Sequence, residues 1–354
     1  MNIALKYLLF TIFFSNLNFA IARQSDVTVK NDWTRDELRG KVSSVVHYND
    51  NGGIIKKVHY NRQGYQTSVW EPCNGKNEQV CVLDSSVYDA TGIHVMRRDF
   101  KSFTTTYKYD EKGNMVELDR KPTGSTNRSV LMTFSFVAGD CVKVTEMNYQ
   151  LDGMTMISGY VSDYKYNNKH ELIELVSTPI SKVKHQKTIY RYQYDDRGNM
   201  VHSGQFGESG EKGIEYSSKY DGQNKRIEQV SYSPTGGEYV NYKEFFRYDH
   251  KGRQIENSQV LMNGKVVRRS QYKFDDTKRQ VYGFHYKGDE LKQETLQLLD
   301  KEGLLLEEKV VESGKLVRKK ALTRDAVGNI ISQVRTDTEG KIIFKREFKI
   351  NYYQ

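Results

Sequence analysis

The sequence predicts an all-β fold in which antiparallel β-hairpins repeat to form a curled or spiralling meander sheet. Three observations support this prediction. The motif Tyr-Asp-x-x-Gly-Asn recurs along the chain, stretches of alternating aromatic residues lie between its copies, and the 354 residues include 25 Tyr and 15 Phe but only 4 Pro. Aromatic residues are enriched in strands, whereas disordered segments are poor in aromatic residues and rich in Pro.

The first residues have the pattern of a secretory signal peptide. A single basic residue, Lys6, precedes an apolar stretch over residues 7–14, and Ala20 and Ala22 satisfy the small-x-small rule for cleavage. This stretch is shorter than the roughly 20 apolar residues that a membrane-spanning helix needs. We therefore expect residues 1–22 to be removed and no transmembrane span to remain. The mature protein is then exported, to the periplasm, the cell surface or the medium.

Two segments follow the predicted signal peptide. Residues 23–41 are expected to form an N-terminal linker or cap, with a short turn of helix over residues 32–38. Residues 42–354 are expected to form one β-repeat domain of about eleven units, each about 26 residues long.

The spacing of the motif defines the repeat. Strict or nearly strict copies begin at Tyr109, Tyr194 and Tyr248. Degenerate copies begin at Tyr48, Tyr88, Tyr166, Tyr220, Phe274, Leu299 and Arg324. From Tyr194 onward the steps between starts are 26, 28, 26, 25 and 25 residues, and a weaker turn lies 12 residues after each start. Each unit is therefore predicted to be turn, strand, turn, strand.

The residue types in the motif suit a tight reversal of the chain. Asp or Asn can cap the turn with its side chain, and Gly supplies the positive φ that other residues resist. The motif is therefore predicted to end one strand and begin the next.

An aromatic ladder is predicted on one face of the sheet, because an aromatic residue stands at the start of many units and another stands two positions before it. Its members are Tyr107, Tyr109, Tyr164, Tyr166, Tyr192, Tyr194, Phe246, Tyr248, Tyr272 and Phe274. Side chains two positions apart on a strand share a face. The ladder is interpreted as the core of a single-layer sheet or, alternatively, as a track on which a ligand stacks.

The three cysteines are better explained by a disulfide that closes a short loop than by a metal site. Cys73 and Cys81 are close enough in sequence for a disulfide to pin a short loop in an exported protein, which leaves Cys141 over. None of the 8 His lies at a metal-ligand spacing. No metal and no cofactor is expected.

No catalytic motif was identified in the sequence. The loop Gly207–Gly210 looks like a nucleophile loop but falls at a predicted turn. The carboxylate pair Asp195 and Asp196 and the pair Asp275 and Asp276 are better explained by turn capping than by acid–base catalysis. The related pairs His47-Tyr48 and His59-Tyr60 could place two imidazoles together, but they lack a third ligand. The chain is predicted not to be an enzyme.

The charge of the chain does not favour nucleic acid. Removing Lys6 with the signal peptide changes the formal charge from +9 to about +8. The basic residues are spread along every unit and mixed with Asp and Glu, which is typical of a solvated face. The expected partner is a glycan or a protein at a surface.

The repeated Tyr-Asp-x-x-Gly-Asn units resemble the YD repeats of the RHS family over most of the mature chain. The weaker turns, such as Asn263-Gly264-Lys265, resemble those of short β-hairpin repeats in antitoxin-type and membrane-occupation-type proteins. The YD resemblance implies a spiralling sheet and, in large relatives, a shell around a C-terminal toxin or a carbohydrate-contacting surface domain. This chain is too short for a full shell and ends in repeat, so only the fold is expected to carry over.

Three functions are distinguished by these patterns. The leading hypothesis is an exported, non-catalytic binding or scaffold protein that contacts glycan or a protein partner. The alternative is an unrecognised hydrolase with acidic residues at the mouth of a curled sheet. A third, an outer-membrane barrel, is disfavoured because adjacent residues such as Arg268 and Arg269 place charge on both faces of one strand.

Overall fold

The computed structural model describes residues 31–72, 80–150, 152–180, 186–234 and 241–354. These residues form 24 β-strands and one short helix. Every strand pairing resolved between them is antiparallel, and within each compact unit strands that follow one another in the chain pair side by side, as Val42–Tyr48 does with Ile54–Tyr60, Phe103–Tyr109 with Met115–Pro122, Met156–Tyr166 with Leu172–Pro179 and Tyr242–Tyr248 with Gln254–Leu261. The prediction of an all-β antiparallel meander is confirmed.

The chain divides into two compact units. The first unit contains residues 83–193 and 205–211 together with the short helix. Its elements are α1 (Asp32–Arg35), β4 (Val80–Tyr88), β5 (Val95–Phe100), β6 (Phe103–Tyr109), β7 (Met115–Pro122), β8 (Val130–Val137), β9 (Asp140–Tyr149), β10 (Met156–Tyr166), β11 (Leu172–Pro179) and β12 (Thr188–Tyr194).

The second unit contains residues 36–82, 194–204 and 212–354. Its strands are β1 (Val42–Tyr48), β2 (Ile54–Tyr60), β3 (Gln66–Pro72), β13 (Met200–Phe206), β14 (Lys212–Tyr220), β15 (Arg226–Tyr232), β16 (Tyr242–Tyr248), β17 (Gln254–Leu261), β18 (Val266–Asp275), β19 (Gln280–Lys287), β20 (Glu290–Leu299), β21 (Leu305–Glu312), β22 (Lys315–Arg324), β23 (Ile330–Thr336) and β24 (Ile342–Tyr352).

The repeat starts coincide with strand ends. β6, β12 and β16 end at Tyr109, Tyr194 and Tyr248, the first residues of the three strict or nearly strict motifs. The weaker turn 12 residues further on also follows a strand, since β13 ends at Phe206 and β15 at Tyr232. The structure therefore has the predicted order of turn, strand, turn, strand.

The two faces of these strands differ in polarity. In β10, Tyr164 is buried and Lys165 is exposed, and in β16 Phe246 is buried and Arg247 is exposed. The core of the first unit lies on the aromatic face. Its buried members are Met132, Phe134, Cys141, Val144, Tyr164, Leu172 and Leu175. Period-two alternation thus separates an apolar face from a charged one.

The charged face carries a repeated cross-strand ion pair. The basic residue just before the motif Tyr faces a Glu on the next strand in four units. These pairs are Lys108–Glu117 at 2.8 Å, Lys165–Glu174 at 2.7 Å, Lys219–Glu228 at 3.1 Å and Arg247–Glu256 at 3.7 Å. Much of the positive charge of the chain is therefore neutralised locally.

In the second unit, the first and last strands of the chain are neighbours. Val45 of β1 lies opposite Ile350 of β24, and the backbone N–H of Tyr353 donates to Lys41 O at 2.8 Å. β1 also pairs with β2, and β2 pairs with β3. Four strands from the two ends of the chain, β24, β1, β2 and β3, therefore lie side by side.

The predicted turn of helix before the array is present as α1. Asn31 caps it, since the backbone N–H of Thr34 donates to Asn31 Oδ1 at 3.1 Å. The predicted signal peptide, residues 1–22, lies outside the described residues.

In the part of the chain that the structure describes, no helix has the length and apolar character needed to cross a membrane.

Candidate functional site

The Asp of each motif is held by the turn that it caps. Asp110 Oδ1 accepts the backbone N–H groups of Lys112 and Asn114, both at 2.9 Å, and Asp110 Oδ2 accepts Asn114 Nδ2 at 2.9 Å. Gly113 has a φ of 82° and donates its N–H to Asp110 O at 3.0 Å. These hydrogen bonds, first of all that from the Asn114 side chain, lower the pKa of Asp110. The motif Asp is therefore an ionised structural group.

In four units of the described chain, the motif Tyr joins its unit to the one before it. Tyr220 and Tyr248 donate their hydroxyls to the backbone oxygens of Met200 at 3.0 Å and Arg226 at 2.9 Å. Each acceptor lies six residues after the preceding unit start. Two earlier units use the same kind of bond, from Tyr109 to Val95 O and from Tyr166 to Cys141 O.

Arg324 replaces the motif Tyr in a late unit and makes an equivalent contact. Its Nε and Nη2 both donate to Leu305 O at 3.3 Å, and its Nη1 donates to Gly328 O at 2.8 Å. Leu305 again lies six residues after a unit start, Leu299. The guanidinium therefore occupies the role of the tyrosine hydroxyl.

The carboxylates that could have served a hydrolase take part in turns and ion pairs. Asp195 Oδ1 accepts the backbone N–H of Arg197 at 3.0 Å and that of Asn199 at 2.8 Å. Asp276 contacts Lys251 Nζ at 2.7 Å and Arg253 Nη1 at 2.6 Å, which lowers its pKa to about 2. A general acid needs a raised pKa, so these groups are unsuited to that role.

The loop at Gly207 is a turn, as predicted. Gly207 N donates to Glu211 O at 2.8 Å, and Gly210, at a φ of 89°, donates to Gly207 O at 3.1 Å. Ser209 Oγ is hydrogen-bonded to a carboxylate oxygen of Glu211.

The aromatic ladder lies on the covered face of the strands. Tyr164 and Phe246 are only 4% and 9% exposed. The other eight residues are partly buried: Tyr107, Tyr109, Tyr166, Tyr192, Tyr194, Tyr248, Tyr272 and Phe274. In the first unit Tyr166 and Tyr192 pack against the core that contains Tyr164. A structural role follows from this packing, while the role of the ladder in ligand binding stays a prediction.

Cationic and imidazole side chains cover several ladder rings. Arg226 lies over Phe246 at 4.9 Å and Arg253 lies over Phe274 at 4.1 Å, measured from Cζ to the ring centroid. His94 lies 4.8 Å from Tyr109, centroid to centroid. Ring faces that already hold a cation or a second ring are less open to a ligand.

One shallow groove does include ladder residues. It encloses about 440 Å³ and is lined by Asp249, Arg253, Ile255, Gln271, Tyr272, Lys273, Phe274 and Phe284. Arg253 spans it, because this side chain contacts Asp249 and Asp276 and also lies over Phe274. The Asp249 carboxylate and the Arg253 guanidinium in this groove are therefore already paired with each other.

A second cleft combines aromatic rings with hydroxyl groups, and we call it the Trp70 cleft. It lies over β24, β1, β2 and β3 and encloses about 520 Å³. Its lining residues are Ser43, Ser44, His59, Tyr60, Thr67, Ser68, Trp70 and Tyr353. Trp70 is partly buried, so part of its indole remains accessible. Large aromatic surface beside a few directed polar groups is typical of small-ligand sites.

Strand register explains how the Trp70 cleft is assembled. Ser44 of β1 lies opposite His59 of β2, which lies opposite Ser68 of β3. On the other side, Ser44 lies opposite Asn351 of β24, whose Nδ2 donates to Ser44 Oγ at 2.8 Å. Directly opposite residues share a face, so one row across four strands presents an amide, a hydroxyl, an imidazole and a second hydroxyl. Trp70 Nε1 donates to Ser68 Oγ at 2.8 Å, which orients the indole beside this row.

Hydrogen bonds from two tyrosine hydroxyls stabilise the rim of the cleft. Tyr60 is 4% exposed and donates its hydroxyl to Asp36 Oδ2 at 2.7 Å. The Tyr353 hydroxyl is hydrogen-bonded to Tyr60 O, and Arg62 Cζ lies 5.6 Å from the centre of the Tyr353 ring. The two ends of the chain thus shape this rim together.

The two histidines of the related sequence pairs lie on opposite faces of the sheet. His59 is in the cleft, where burial and then the Lys57 ammonium lower its pKa. His47 lies three positions from Ser44 on β1 and packs on the other face, 5.0 Å from the Phe348 ring. The two imidazoles therefore do not form a joint site.

Cys141 does not take part in a disulfide. Cys141 is a free thiol, 1% exposed, and burial raises its pKa to about 11. Cys73 lies outside the described residues, so its disulfide with Cys81 stays a prediction. Across the described residues, no three His, Cys, Asp or Glu side chains come together as a metal site would require.

Comparison with known proteins gives weak similarities. No protein-family model matches the chain, and no curated relative matches it. Among solved structures, the TcdB2–TccC3–Cdc42 crystal structure is 10% identical with a TM-score of 0.34, over 83% of this chain and 17% of that chain. A porin-like protein from Bacteroides uniformis is 9% identical with a TM-score of 0.31, over 65% of this chain and 93% of that chain.

A second porin-like protein, from Bacteroides vulgatus, is 9% identical with a TM-score of 0.20, over 88% of this chain and 98% of that chain. The chain spans about a sixth of the TcdB2–TccC3 chain, since the match covers 17% of it. At these TM-scores none of the similarities assigns a family or a function.

Sequence reasoning missed the Trp70 cleft because it searched the repeat motif and its flanking aromatic residues. A signal was nevertheless present. Trp70 is one of only 2 Trp in the chain, and it stands two and three positions after Ser68 and Thr67. What the sequence did not show is that β24 would bring Asn351 and Tyr353 to the same place.

Proposed function

We propose that this chain is an exported, non-catalytic β-repeat protein that binds glycan in the Trp70 cleft. One observation carries the proposal. In a single open cleft, an accessible indole stands beside the hydroxyls of Ser44, Thr67 and Ser68, the His59 imidazole and the Tyr353 ring.

The chemistry of a sugar suits these groups. One side of a pyranose ring is a patch of C–H groups, which packs against an aromatic face, while its hydroxyls both donate and accept hydrogen bonds. Serine and threonine hydroxyls can do the same, and they rotate to match the ligand. Since Ser44 and Ser68 are already positioned by Asn351 and Trp70, little side-chain freedom is lost on binding.

The remaining parts of the proposal come from the sequence. Residues 1–22 support export, and the regular Tyr-Asp turns support a relation to YD-repeat proteins. A non-catalytic role is supported by the turn carboxylates of Asp195 and Asp276, which already accept hydrogen bonds or form ion pairs within the protein. No specific observation favours the hydrolase alternative.

The test is glycan binding by Trp70→Ala. The unchanged protein is first screened on a glycan array, and its best ligand is then titrated by calorimetry. We expect the variant to lose at least about fivefold in affinity, since stacking of a nucleic-acid base on one aromatic ring contributes about 1–3 kcal/mol and a sugar face packs on an indole in a similar way. The matched control is Tyr232→Ala, which removes an aromatic ring that is 46% exposed and far from the cleft in sequence.

Two results would contradict the proposal. In the first, the array shows no glycan binding above background, and a pull-down with the unchanged chain captures a protein partner that the Trp70→Ala variant also captures. The other is equal loss of affinity in the Trp70 and Tyr232 variants. Glycan cleavage that disappears in Asp195→Asn would instead support the hydrolase.

A further inference from the structure

Two lysines beside the Trp70 cleft lie on one strand face without a carboxylate partner. Lys57 of β2 and Lys349 of β24 both lie opposite Val46 of β1, one from each side. Lys57 also lies directly opposite Trp70 of β3. Neighbouring strands are about 4.8 Å apart, so the two Lys backbones are about 10 Å apart and long side chains can reach one ligand group between them.

Some strand lysines of the repeat have a carboxylate partner. Lys165 and Lys219 each form an ion pair with a Glu on the next strand, at 2.7 and 3.1 Å. Within the described residues, no carboxylate lies within ion-pairing distance of Lys57 or Lys349. The neighbour that Lys57 faces is an indole instead. The two ammonium groups repel each other, and an anion bound between them removes that repulsion.

The other charged groups near the cleft leave this positive character in place. Glu347 lies on the same face but is paired with Lys345 at 2.8 Å. Asp36 accepts the Tyr60 hydroxyl at 2.7 Å. Arg62 adds a further cation at the rim, over the Tyr353 ring. His59 is the titratable group within the cleft, next to Lys57 on the same face.

We propose that the ligand of the Trp70 cleft is an acidic saccharide, whose carboxylate lies between Lys57 and Lys349 while its ring packs on Trp70. This inference rests on the proposed function and specifies its ligand class. The row formed by Asn351, Ser44, His59 and Ser68 lies two positions further along the strands and faces the hydroxyls of the same or the next sugar. A uronic acid carries both features on one ring.

The experiment compares two probes with the same sugar rings, of which one carries carboxylates and the other neutral methyl esters. Trigalacturonate and its trimethyl ester are titrated calorimetrically against the full mature chain. We expect the acid to bind several-fold more tightly than the ester, because only the acid carries carboxylates that the two ammonium groups attract. Its affinity should also fall as salt is raised, because the pair is open to solvent.

Three variants test whether Lys57 and Lys349 bind the carboxylate. Lys57→Gln and Lys349→Gln should each weaken trigalacturonate binding several-fold and leave the ester unchanged. Lys301→Gln is the matched control, because the Lys301 side chain is 82% exposed and lies in a turn that does not line the cleft. Circular dichroism and the melting temperature verify that each variant is folded.

The outcomes separate this inference from the proposed function. If acid and ester bind equally and Trp70→Ala weakens both, the cleft binds sugar and the acidic class is wrong. If the acid binds but Lys57→Gln and Lys349→Gln match Lys301→Gln, the placement of the carboxylate is wrong. If Trp70→Ala changes neither probe, the proposed function fails as well.

Discussion

At the scale of single residues, a tyrosine hydroxyl links several of the units to the preceding one. The Tyr248 hydroxyl donates a hydrogen bond to Arg226 O at 2.9 Å, and the Arg324 guanidinium donates an equivalent hydrogen bond to Leu305 O. An aromatic residue in a strand can pack on its neighbours without any such bond. The hydroxyl therefore explains why Tyr, and not Phe, opens most of the units.

Tyr248→Phe removes this bond and leaves the ring in place. We expect the free energy of unfolding to fall by about 1 kcal/mol, because Arg226 O loses its partner. Urea denaturation measures the change. Tyr232→Phe serves as the control, since that side chain is largely exposed, and an equal loss in both variants would contradict the interpretation.

His170 occupies the position that Gly fills in the strict motifs, and its φ is 61°. We expect His170→Gly to raise stability by about 0.5–1 kcal/mol, since a β-carbon is strained in this region. The pair with Asp140 at 2.7 Å is lost, but the His170 side chain is 62% exposed, so the pair contributes little. Thermal melts at pH 8 test this, and His170→Ala, which keeps the strain, should show no gain.

His47 predicts a pH dependence of stability. Burial first, then the charges of Lys56 and Arg346, lower its pKa to about 4 against the partly opposing Asp36. The unfolded state therefore binds the proton more readily between pH 4 and about 6.5. We expect stability to fall as the pH drops through this range, by on the order of 1–3 kcal/mol from this group. Urea denaturation of His47→Gln should show a flatter profile, and an unchanged slope would count against this cause.

At the scale of the element, the turn depends on one side-chain oxygen. Asp249 Oδ1 accepts the backbone N–H groups of Lys251 and Arg253, both at 2.9 Å. Asn49 does the same in the first unit, for Asn51 and Gly53. The equivalence of Asp and Asn shows that the oxygen, and not the charge, is what the turn requires.

Asp249→Ala should therefore destabilise the protein more than Asp249→Asn. Alanine leaves two backbone N–H groups without their acceptor, whereas asparagine keeps the oxygen and gives up only the contact with the Arg253 guanidinium at 2.8 Å. The urea midpoints of the two variants measure the difference. Equal midpoints would mean that the ion pair with Arg253 dominates.

At the scale of the whole molecule, the two ends of the chain are fastened together within the second unit. Asn329 is 1% exposed, and its side chain bonds both backbone groups of Arg39, at 2.6 Å through Oδ1 and 2.8 Å through Nδ2. Its Nδ2 also lies 2.7 Å from the Tyr352 hydroxyl. These contacts hold the segment before β1 against β24.

Asn329→Ala should cost about 2–4 kcal/mol, because several buried hydrogen bonds are lost at once. The control is Asn263→Ala, where a single exposed hydrogen bond to the Lys265 N–H is lost at 3.0 Å. Hydrogen exchange of β1 and β24 amides should rise selectively in the Asn329 variant. Uniform exchange across the second unit would argue against a local fastening.

The sequence by itself determined the strands, the turns and the face on which the ladder lies. Those features are local: a capping oxygen, a Gly with positive φ and side chains that alternate every two residues act within a few positions. Asn114 and Asn199 illustrate this, because each motif Asn donates to the Asp of its own turn.

Asn329 occupies the same motif position as Asn114 and Asn199, but its side chain bonds the backbone of Arg39, 290 positions away in the sequence. Only the tertiary structure determined this partner. It also decided where the Trp70 cleft forms, because Ser44, Trp70 and Tyr353 meet only when β24 pairs with β1. Strand pairing between distant segments depends on how the units stack, and no local pattern encodes that register.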